Sequence, residues 1–333
     1  MNNCVRLAVS VLGSLWLSVA SAESPSFSYD GQEYQGDKLP PAVQQSLYDV
    51  EMKANDQRRQ VIDQYIVNRY LQEKSAAEGK TVKQLQQQLL QVPKASEADI
   101  KAFYDSNRGR INAPYEQVKG RVAEFIQSQQ QAAKEGQLLT QIMTEKGYRL
   151  KLPEAQAPRF EVATEGYPFK GNPDAKVTMI EFADYQCPHC KEASHTVKNL
   201  LKQFDGQLKV VFRDYPINPS GISRRVAEAA VCAAEQDKFW PFHDLAFERQ
   251  SYLKAIKPEM LAEQLALNME KFNSCFAGNA AKDKVTASLE EGVRLGLSGT
   301  PTFFVNGLKL HVHGELEPAL INAIEQALKN QAG

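Results

Sequence analysis

The stretch VTMIEFADYQCPHC, residues 177–190, decides the fold of this protein. It opens with a β-rich apolar run at residues 177–182, which predicts a buried strand. Cys187 and Cys190 follow, and a helical pattern continues over residues 191–203. The stretch therefore predicts a strand, a turn and a helix, with both cysteines at the start of the helix.

Cysteines at the N-terminus of a helix are chemically activated. Unpaired backbone N–H groups and the positive end of the helix dipole stabilise the thiolate of Cys187 over its thiol. His189 adds a nearby donor or cation. A stabilised thiolate is a good leaving group, so the disulfide form is expected to be a strong oxidant. Cys190, one helical turn further along, is the expected resolving thiol.

Three other kinds of site use closely spaced cysteines. A structural disulfide across so short a loop gains little from chain entropy. A zinc site needs two further ligands, and no second C-x-x-C or paired histidine motif supplies them. Haem attachment needs histidine directly after the second cysteine, where Lys191 stands. Cys187-Pro188-His189-Cys190 therefore predicts redox chemistry that requires no metal and no organic cofactor.

The sequence after this motif alternates between strand and helix patterns. The predicted elements are a strand at residues 208–212, helices from about 221 to 295, a hairpin of 302–305 and 308–311, and a helix at 315–328. Asn306-Gly307 at the centre of the hairpin is the strongest short turn signal. The pattern predicts an α/β domain.

These motifs resemble the DsbA family of thioredoxin-fold thiol:disulfide oxidoreductases. The resemblance spans about residues 160–327 and rests on three segments in family order: VTMIEF leading into CPHC, Phe239-Trp240 with His243-Asp244, and GTPTFFVNG at residues 299–307. It implies an α/β thioredoxin fold with a helical insertion over residues 160–333. The apolar periodicity of the preceding sequence predicts a mostly α-helical N-terminal domain.

The resemblance also implies roles for single residues. Cys187 is implied to be the attacking cysteine of the mixed disulfide, and Pro301 the cis-proline that faces it. A cis bond costs far less before proline than elsewhere, although the sequence alone favours trans. A cis turn would expose the backbone of Thr300 as an edge to which an extended substrate adds. Glu181 is implied to be a buried acid that serves the proton demand of the cysteine pair, the alternative being an exposed strand residue.

Thr300 leaves the direction of the reaction open. Threonine before the cis-proline resembles the disulfide isomerases DsbC and DsbG, whereas the founding DsbA oxidase has valine there. The predicted function is therefore a disulfide oxidoreductase, with an oligomeric isomerase or a holdase chaperone with incidental thiols as alternatives.

A second, distant pair of cysteines lies within the predicted helical insertion. The loop between Cys232 and Cys275 is 275 − 232 = 43 residues, for which chain entropy suggests a stabilisation of roughly 4 kcal/mol. Neither cysteine has a close partner, and similar pairs staple the insertion in some DsbA-like proteins. We expect a structural disulfide, with a redox-active pair as the alternative.

The N-terminus resembles an export signal. Residues 1–22 combine Arg6, an apolar stretch and the small-residue end Ala20-Ser21-Ala22. The alternative, a membrane anchor, fits poorly because the apolar run is short and interrupted. Cleavage near Ala22 would remove Cys4, so that of 5 cysteines 5 − 1 = 4 remain. Because disulfides persist in oxidising compartments, we expect a periplasmic protein.

Residues 23–152 are predicted to form a helical domain, which a stiff linker at 153–159 joins to the DsbA-like domain. The predicted helix order, with a short strand at 148–152, resembles the helical chaperone region of SurA- and PrsA-like folding factors. Glutamine-rich polar faces indicate a solvated surface, and apolar stripes suggest pairing with another copy or binding of unfolded chains. We expect a homo-oligomer formed through these helices.

Composition limits the choice of partners. The chain has 39 Lys and Arg against 40 Asp and Glu, a formal net charge of −1, so no nucleic-acid partner is expected. The expected partners are unfolded or misfolded exported proteins and, by resemblance, a DsbB-like or DsbD-like membrane protein that restores the redox state.

Overall fold

A computed structural model describes residues 25–108, 111, 113–153, 155–312 and 314–331. The predicted signal peptide lies outside these residues. The described chain divides into two compact units, one of residues 25–46 with 157–331 and one of residues 47–156. Within the described residues, no helix combines the length and the apolar character needed to cross a membrane.

Helices dominate the N-terminal region. They are α1 (Pro41–Glu78), α2 (Val82–Leu90), α3 (Glu97–Ser106) and α4 (Tyr115–Lys146). Thr81 and Ser96 close reciprocal capping boxes with Gln84 and Asp99, which satisfy the first free N–H groups of α2 and α3. Gly147 ends α4 in the left-handed conformation. Residue type at these ends therefore determines where each helix begins or stops.

Two details of this region differ from the prediction. Residues 148–152, all of them described, form no strand, and the Tyr148 hydroxyl donates to a carboxylate oxygen of Asp63 in α1 at 2.6 Å. The polar N-terminal stretch instead forms a hairpin of β1 (Ser26–Tyr29) and β2 (Gln32–Gln35). Asp30-Gly31, both at positive φ, makes its turn.

A five-stranded sheet forms the centre of the other unit, in the order β3-β5-β4-β6-β7. Its strands are β3 (Phe169–Gly171), β4 (Val177–Ala183), β5 (Leu208–Asp214), β6 (Thr302–Val305) and β7 (Leu308–Lys309). β4 and β5 run parallel, and the other neighbours are antiparallel. Because the sheet core is buried on both sides, β4 and β5 read as nearly continuous apolar runs.

Helices cover the sheet and fill a long insertion. α5 (Pro188–Gln203) connects β4 to β5, and α11 (Leu316–Lys329) follows β7. The insertion between β5 and β6 consists of α6 (Ile222–Ala234), α7 (Phe239–Glu248), α8 (Pro258–Gln264), α9 (Met269–Ala277) and α10 (Ala280–Arg294). The predicted α/β thioredoxin fold with a helical insertion after a mostly helical N-terminal region is confirmed.

A disulfide and a buried ion pair stabilise the insertion. A disulfide joins Cys232 of α6 to Cys275 of α9. The guanidinium of Arg213, fully buried in β5, forms an ion pair with Glu291 of α10 and lies 3.6 Å from the centre of the Tyr167 ring. A buried cation needs such partners because its desolvation is costly, so the pair fastens α10 to the sheet.

Candidate active site

Cys187 lies in the turn between β4 and α5, where it is the residue that precedes the first turn of the helix. Its N–H donates to the carbonyl of Asp184 at 3.0 Å, and its side chain is partly exposed. Pro188 occupies the first helical position, where the missing N–H costs no hydrogen bond. The turn therefore directs the Cys187 sulfur towards the open N-terminus of α5.

Hydrogen bonds stabilise the thiolate of Cys187. A donor from the Cys190 side chain is the largest influence, and the Thr300 side chain and the backbone N–H groups of Cys190 and His189 act in the same direction. Partial burial opposes them, but together they lower the pKa of Cys187 to about 5. Cys187 is therefore an anion at neutral pH.

Cys190 has the opposite character. It is 0% exposed, and burial raises the pKa of its thiol far above the ordinary value. The negative charge on Cys187 raises that pKa further. Of the two free thiols in the described part of the chain, the accessible one is ionised and the buried one keeps its proton.

The loop before β6 faces the cysteine. The peptide bond between Thr300 and Pro301 is cis, and the Cys187 thiol, when protonated, donates to the carbonyl oxygen of Thr300 at 3.2 Å. Thr300 and Pro301 are only partly buried. The backbone of Thr300 and the reactive sulfur therefore share one accessible position.

Glu181 lies beneath the cysteine pair in β4. It is 3% exposed and pairs in register with Phe212 of β5 and Phe303 of β6. Burial, with a smaller contribution from the charge on Cys187, raises the pKa of Glu181 to about 8. A carboxyl with this pKa exchanges protons readily near neutral pH.

His189 contributes through its backbone. Its imidazole is exposed, and Nδ1 lies 3.5 Å from a carboxylate oxygen of Glu192. The group that lowers the pKa of Cys187 is its N–H. The sequence had suggested the ring as the donor or cation, whereas the structure directs it outward along α5.

Asp184 holds the turn and was not expected from the sequence. Its buried carboxylate accepts from the N–H of Gln186 at 2.7 Å, the N–H of Asn218 at 3.0 Å and the hydroxyl of Ser223. These bonds join the active-site turn to the start of the insertion. An aspartate two residues before a turn N–H is the local signal that would have found it.

A metal site would need several ligands in one place. Among the described residues, no three His, Cys, Asp or Glu side chains form such a group. The prediction that no metal or cofactor is required stays a prediction.

Comparison with known proteins agrees with this geometry. A family model described as "Thioredoxin" matches residues 163–325. These residues form a thioredoxin-family domain. The match contains Cys187 and Cys190, the Thr300–Pro301 loop and the helical insertion. The predicted resemblance to thioredoxin-fold proteins is confirmed over these residues.

Several solved structures are similar to about half of this chain. A thioredoxin-like oxidoreductase from Silicibacter pomeroyi is 27% identical, with a TM-score of 0.43, over 50% of this chain and 94% of that one. BdbD from Bacillus subtilis is 28% identical, with a TM-score of 0.41, over 52% and 98%. The thiol-disulfide exchange protein alpha-DsbA2 from Wolbachia pipientis is 23% identical, with a TM-score of 0.42, over 49% and 87%.

Curated relatives match only in part. The Na(+)/H(+) antiporter NhaA 3 of Salinispora tropica is 34% identical over 143 residues, which are 43% of this chain and 22% of the antiporter. NhaA of Herminiimonas arsenicoxydans is 33% identical over 159 residues, 47% of this chain and 25% of that protein. The chain thus spans about a quarter of the length of these relatives, and antiporter activity is not carried over.

Proposed function

We propose that the protein is a thiol:disulfide oxidoreductase that exchanges disulfides with exported proteins in the periplasm. The observation that carries the proposal is the pairing of an accessible Cys187, whose pKa is about 5, with a fully buried Cys190. A stabilised leaving thiolate beside a protected resolving thiol is the arrangement that thiol-disulfide exchange requires.

Oxidation of a client proceeds in two displacements at sulfur. A client thiolate attacks the sulfur of Cys187 in the oxidised pair, a client–Cys187 disulfide forms, and Cys190 leaves as a thiolate that takes up a proton. A second client thiolate then attacks the client sulfur of this mixed disulfide, and Cys187 leaves as a thiolate. The client loses two electrons and gains a disulfide, and the cysteine pair is reduced.

Glu181 is suited to the proton transfer in the first displacement. It is the buried acid on the strand that leads to the cysteines, and its carboxyl influences the pKa of Cys190. Because the pKa of Glu181 is about 8, it holds a proton at neutral pH and gives it to a stronger base. The leaving Cys190 thiolate is such a base. The backbone of Thr300 would bind an extended client segment beside Cys187.

Isomerisation uses the same residues in the other direction. Reduced Cys187 attacks a client disulfide, forms a client–Cys187 disulfide and displaces one client thiolate. A different client thiolate then attacks the client sulfur of this mixed disulfide, a new client disulfide forms, and Cys187 leaves as a thiolate. The Thr300 side chain supports this second candidate, because it stabilises the attacking Cys187 thiolate. Recovery of activity from scrambled, fully oxidised ribonuclease tests it, since recovery there requires reshuffling.

The N-terminal helices are proposed to form a homo-oligomer. Apolar side chains stay exposed along them, namely Val50, Val61, Tyr65, Phe125 and Met143, which supports coverage by another copy or by clients. Replacing Val61 and Tyr65 with lysine in the full chain should lower the sedimentation coefficient if these residues join copies. An unchanged coefficient for an oligomeric parent would exclude this surface.

Export and the membrane partner complete the proposal. A DsbB-like protein would re-oxidise the pair in an oxidase, and a DsbD-like protein would reduce it in an isomerase. The in vivo redox state of Cys187 and Cys190, measured by thiol trapping after cell fractionation, distinguishes the two. An oxidised pair in the periplasmic fraction indicates the oxidase.

A direct experiment tests the activity. Oxidised protein should oxidise reduced ribonuclease stoichiometrically, and Cys187→Ser should abolish this. With scrambled, fully oxidised ribonuclease, the Cys187 thiolate of Cys190→Ser should attack a client disulfide and accumulate the mixed disulfide, because no Cys190 thiol is present to resolve it. The holdase alternative predicts that Cys187→Ser still suppresses aggregation of an unfolded client and that the wild type shows no exchange. Absence of exchange by the wild type would refute the proposed function.

A further inference from the structure

A glutamine of the helical insertion contacts the backbone of the active-site turn. Gln250 directly follows Arg249 at the end of α7 and begins a short 3-10 helix, Gln250–Tyr252. Its side-chain amide donates to the carbonyl oxygen of Tyr185 at 2.9 Å and to that of Cys187 at 2.8 Å. An amide NH2 group has two hydrogens, so both are used on the turn that carries the reactive cysteine.

The carbonyl oxygen of Cys187 accepts hydrogen bonds both from Gln250 and from backbone N–H groups of α5. It accepts from the N–H of Cys190 at 3.1 Å and of Lys191 at 3.3 Å, the first hydrogen bonds of α5. The direction of this carbonyl depends on the ψ torsion of Cys187, which is 119°. The same torsion orients the N–H groups of His189 and Cys190 relative to the Cys187 sulfur. Gln250 therefore constrains the torsion that brings donors and sulfur together.

We propose that Gln250 is a positioning residue that stabilises the Cys187 thiolate by fixing residues 185–187 in the geometry in which the helix N-terminus faces the sulfur. The inference rests on the proposed function and deepens it. Gln250 acts through the backbone of the turn, and its two recorded hydrogen bonds go to carbonyl oxygens and not to sulfur.

Removing Gln250 would destabilise the Cys187 thiolate in two ways. Without it, the torsion of Cys187 is less restricted, so the N–H donors lie near the sulfur for less of the time. The carbonyl dipoles of Tyr185 and Cys187 would also lose the amide that offsets their negative ends. Both changes disfavour an anion at the sulfur.

A purely structural role would be to fasten the insertion to the sheet. Other contacts already do this, since the Tyr185 ring packs against Phe247 of α7 at 4.9 Å and Arg213 pairs with Glu291 of α10. The insertion also has its own disulfide. Loss of Gln250 should therefore leave the domain folded and change the chemistry of Cys187.

The test uses Gln250→Ala and Gln250→Glu in the full chain. Glutamate has the same length but, when ionised, cannot donate, and its charge lies near the thiolate. The rate of alkylation of the reduced protein by iodoacetamide, followed against pH, gives the pKa of Cys187, because Cys190 is fully buried. We expect the pKa to rise by about one in Gln250→Ala and at least as much in Gln250→Glu. The equilibrium with glutathione at pH 7 should shift about tenfold towards the disulfide form.

Gln236 supplies a matched control. It is half-buried in the same insertion and also forms two side-chain bonds to backbone, with the carbonyl and the N–H of Asn268. Gln236→Ala should leave the pKa of Cys187 unchanged, and thermal unfolding should show that all variants are folded. The inference is overturned if Gln250→Ala keeps the wild-type pKa, whatever the pKa in Gln250→Glu, or if Gln236→Ala raises it equally. A wild-type Cys187 that titrates near its ordinary value would instead refute the proposed function, and the inference with it.

Discussion

The thiol of Cys187 lies 3.2 Å from the carbonyl oxygen of Thr300, within hydrogen-bonding distance. The Thr300 side chain also favours the ionised form of the cysteine. One residue thus offers a carbonyl that binds the thiol and a side chain that stabilises the thiolate. The ionisation of Cys187 therefore depends on the loop before β6 as well as on α5.

Thr300→Val should raise the pKa of Cys187. Valine has nearly the same shape as threonine but cannot donate a hydrogen bond to the thiolate, and we expect an increase of about 0.5 to 1. Alkylation of the reduced protein against pH measures it. Thr178→Val, at the far end of β4 from Cys187, is the control and should change nothing. An unchanged pKa in Thr300→Val would show that the hydroxyl does not reach the sulfur.

The two cysteines should respond differently to the loss of a donor. Because the Cys190 side chain is the largest stabiliser of the Cys187 thiolate, Cys190→Ala should raise the pKa of Cys187 by one or more. Cys190→Ser retains a hydroxyl donor and should keep it low. The absorbance of the thiolate near 240 nm, titrated in both variants, checks this. Equal pKa values in the two variants would contradict the hydrogen bond.

Glu181 should make stability decrease with rising pH. The pKa of this buried acid is raised from 4.5 to about 8. The contribution of Glu181 to the free energy of unfolding is therefore complete below pH 4.5, and it is lost progressively as the pH rises from there through 8. Glu181→Gln cannot ionise and should exceed the wild type by about 4 kcal/mol at pH 8 and match it near pH 4.5. Urea unfolding at both pH values measures the difference.

Removing the disulfide of the insertion should lower stability but spare the active site. The bond closes a separation of 43 residues, for which chain entropy gives roughly 4 kcal/mol. Cys232→Ala combined with Cys275→Ala should reduce the free energy of unfolding by about this amount while the pKa of Cys187 stays low. Urea unfolding without reductant, together with alkylation, tests both parts. A raised pKa would indicate that the second pair also shapes the site.

Features determined by a few adjacent residues could be predicted. The helix predicted over residues 191–203 is α5, Pro188–Gln203. Asn306 and Gly307, both at positive φ, form the predicted turn between β6 and β7. Each of these signals is local, so the rest of the fold does not alter it.

Features that depend on distant partners were missed. β3 has three residues and exists because it pairs with β5, so it carries no usable periodicity. Gln250 is separated by 63 residues from Cys187 and binds a carbonyl, which every residue has. No pattern of side chains marks such a contact. The redox function of Cys187 and Cys190 could be predicted because the two cysteines lie three positions apart in the sequence.

The unequal exposure of the two active-site cysteines also determines how the protein ages under oxidative stress. Peroxide attacks an accessible thiolate, and a sulfenic acid formed on Cys187 can be recovered by condensation with its neighbour. Further oxidation to the sulfinic acid is irreversible for most proteins. Because Cys190 is buried, irreversible oxidation is expected at the Cys187 sulfur alone. The mass of the peptide that contains Cys187 would then give the fraction of molecules that are permanently inactivated.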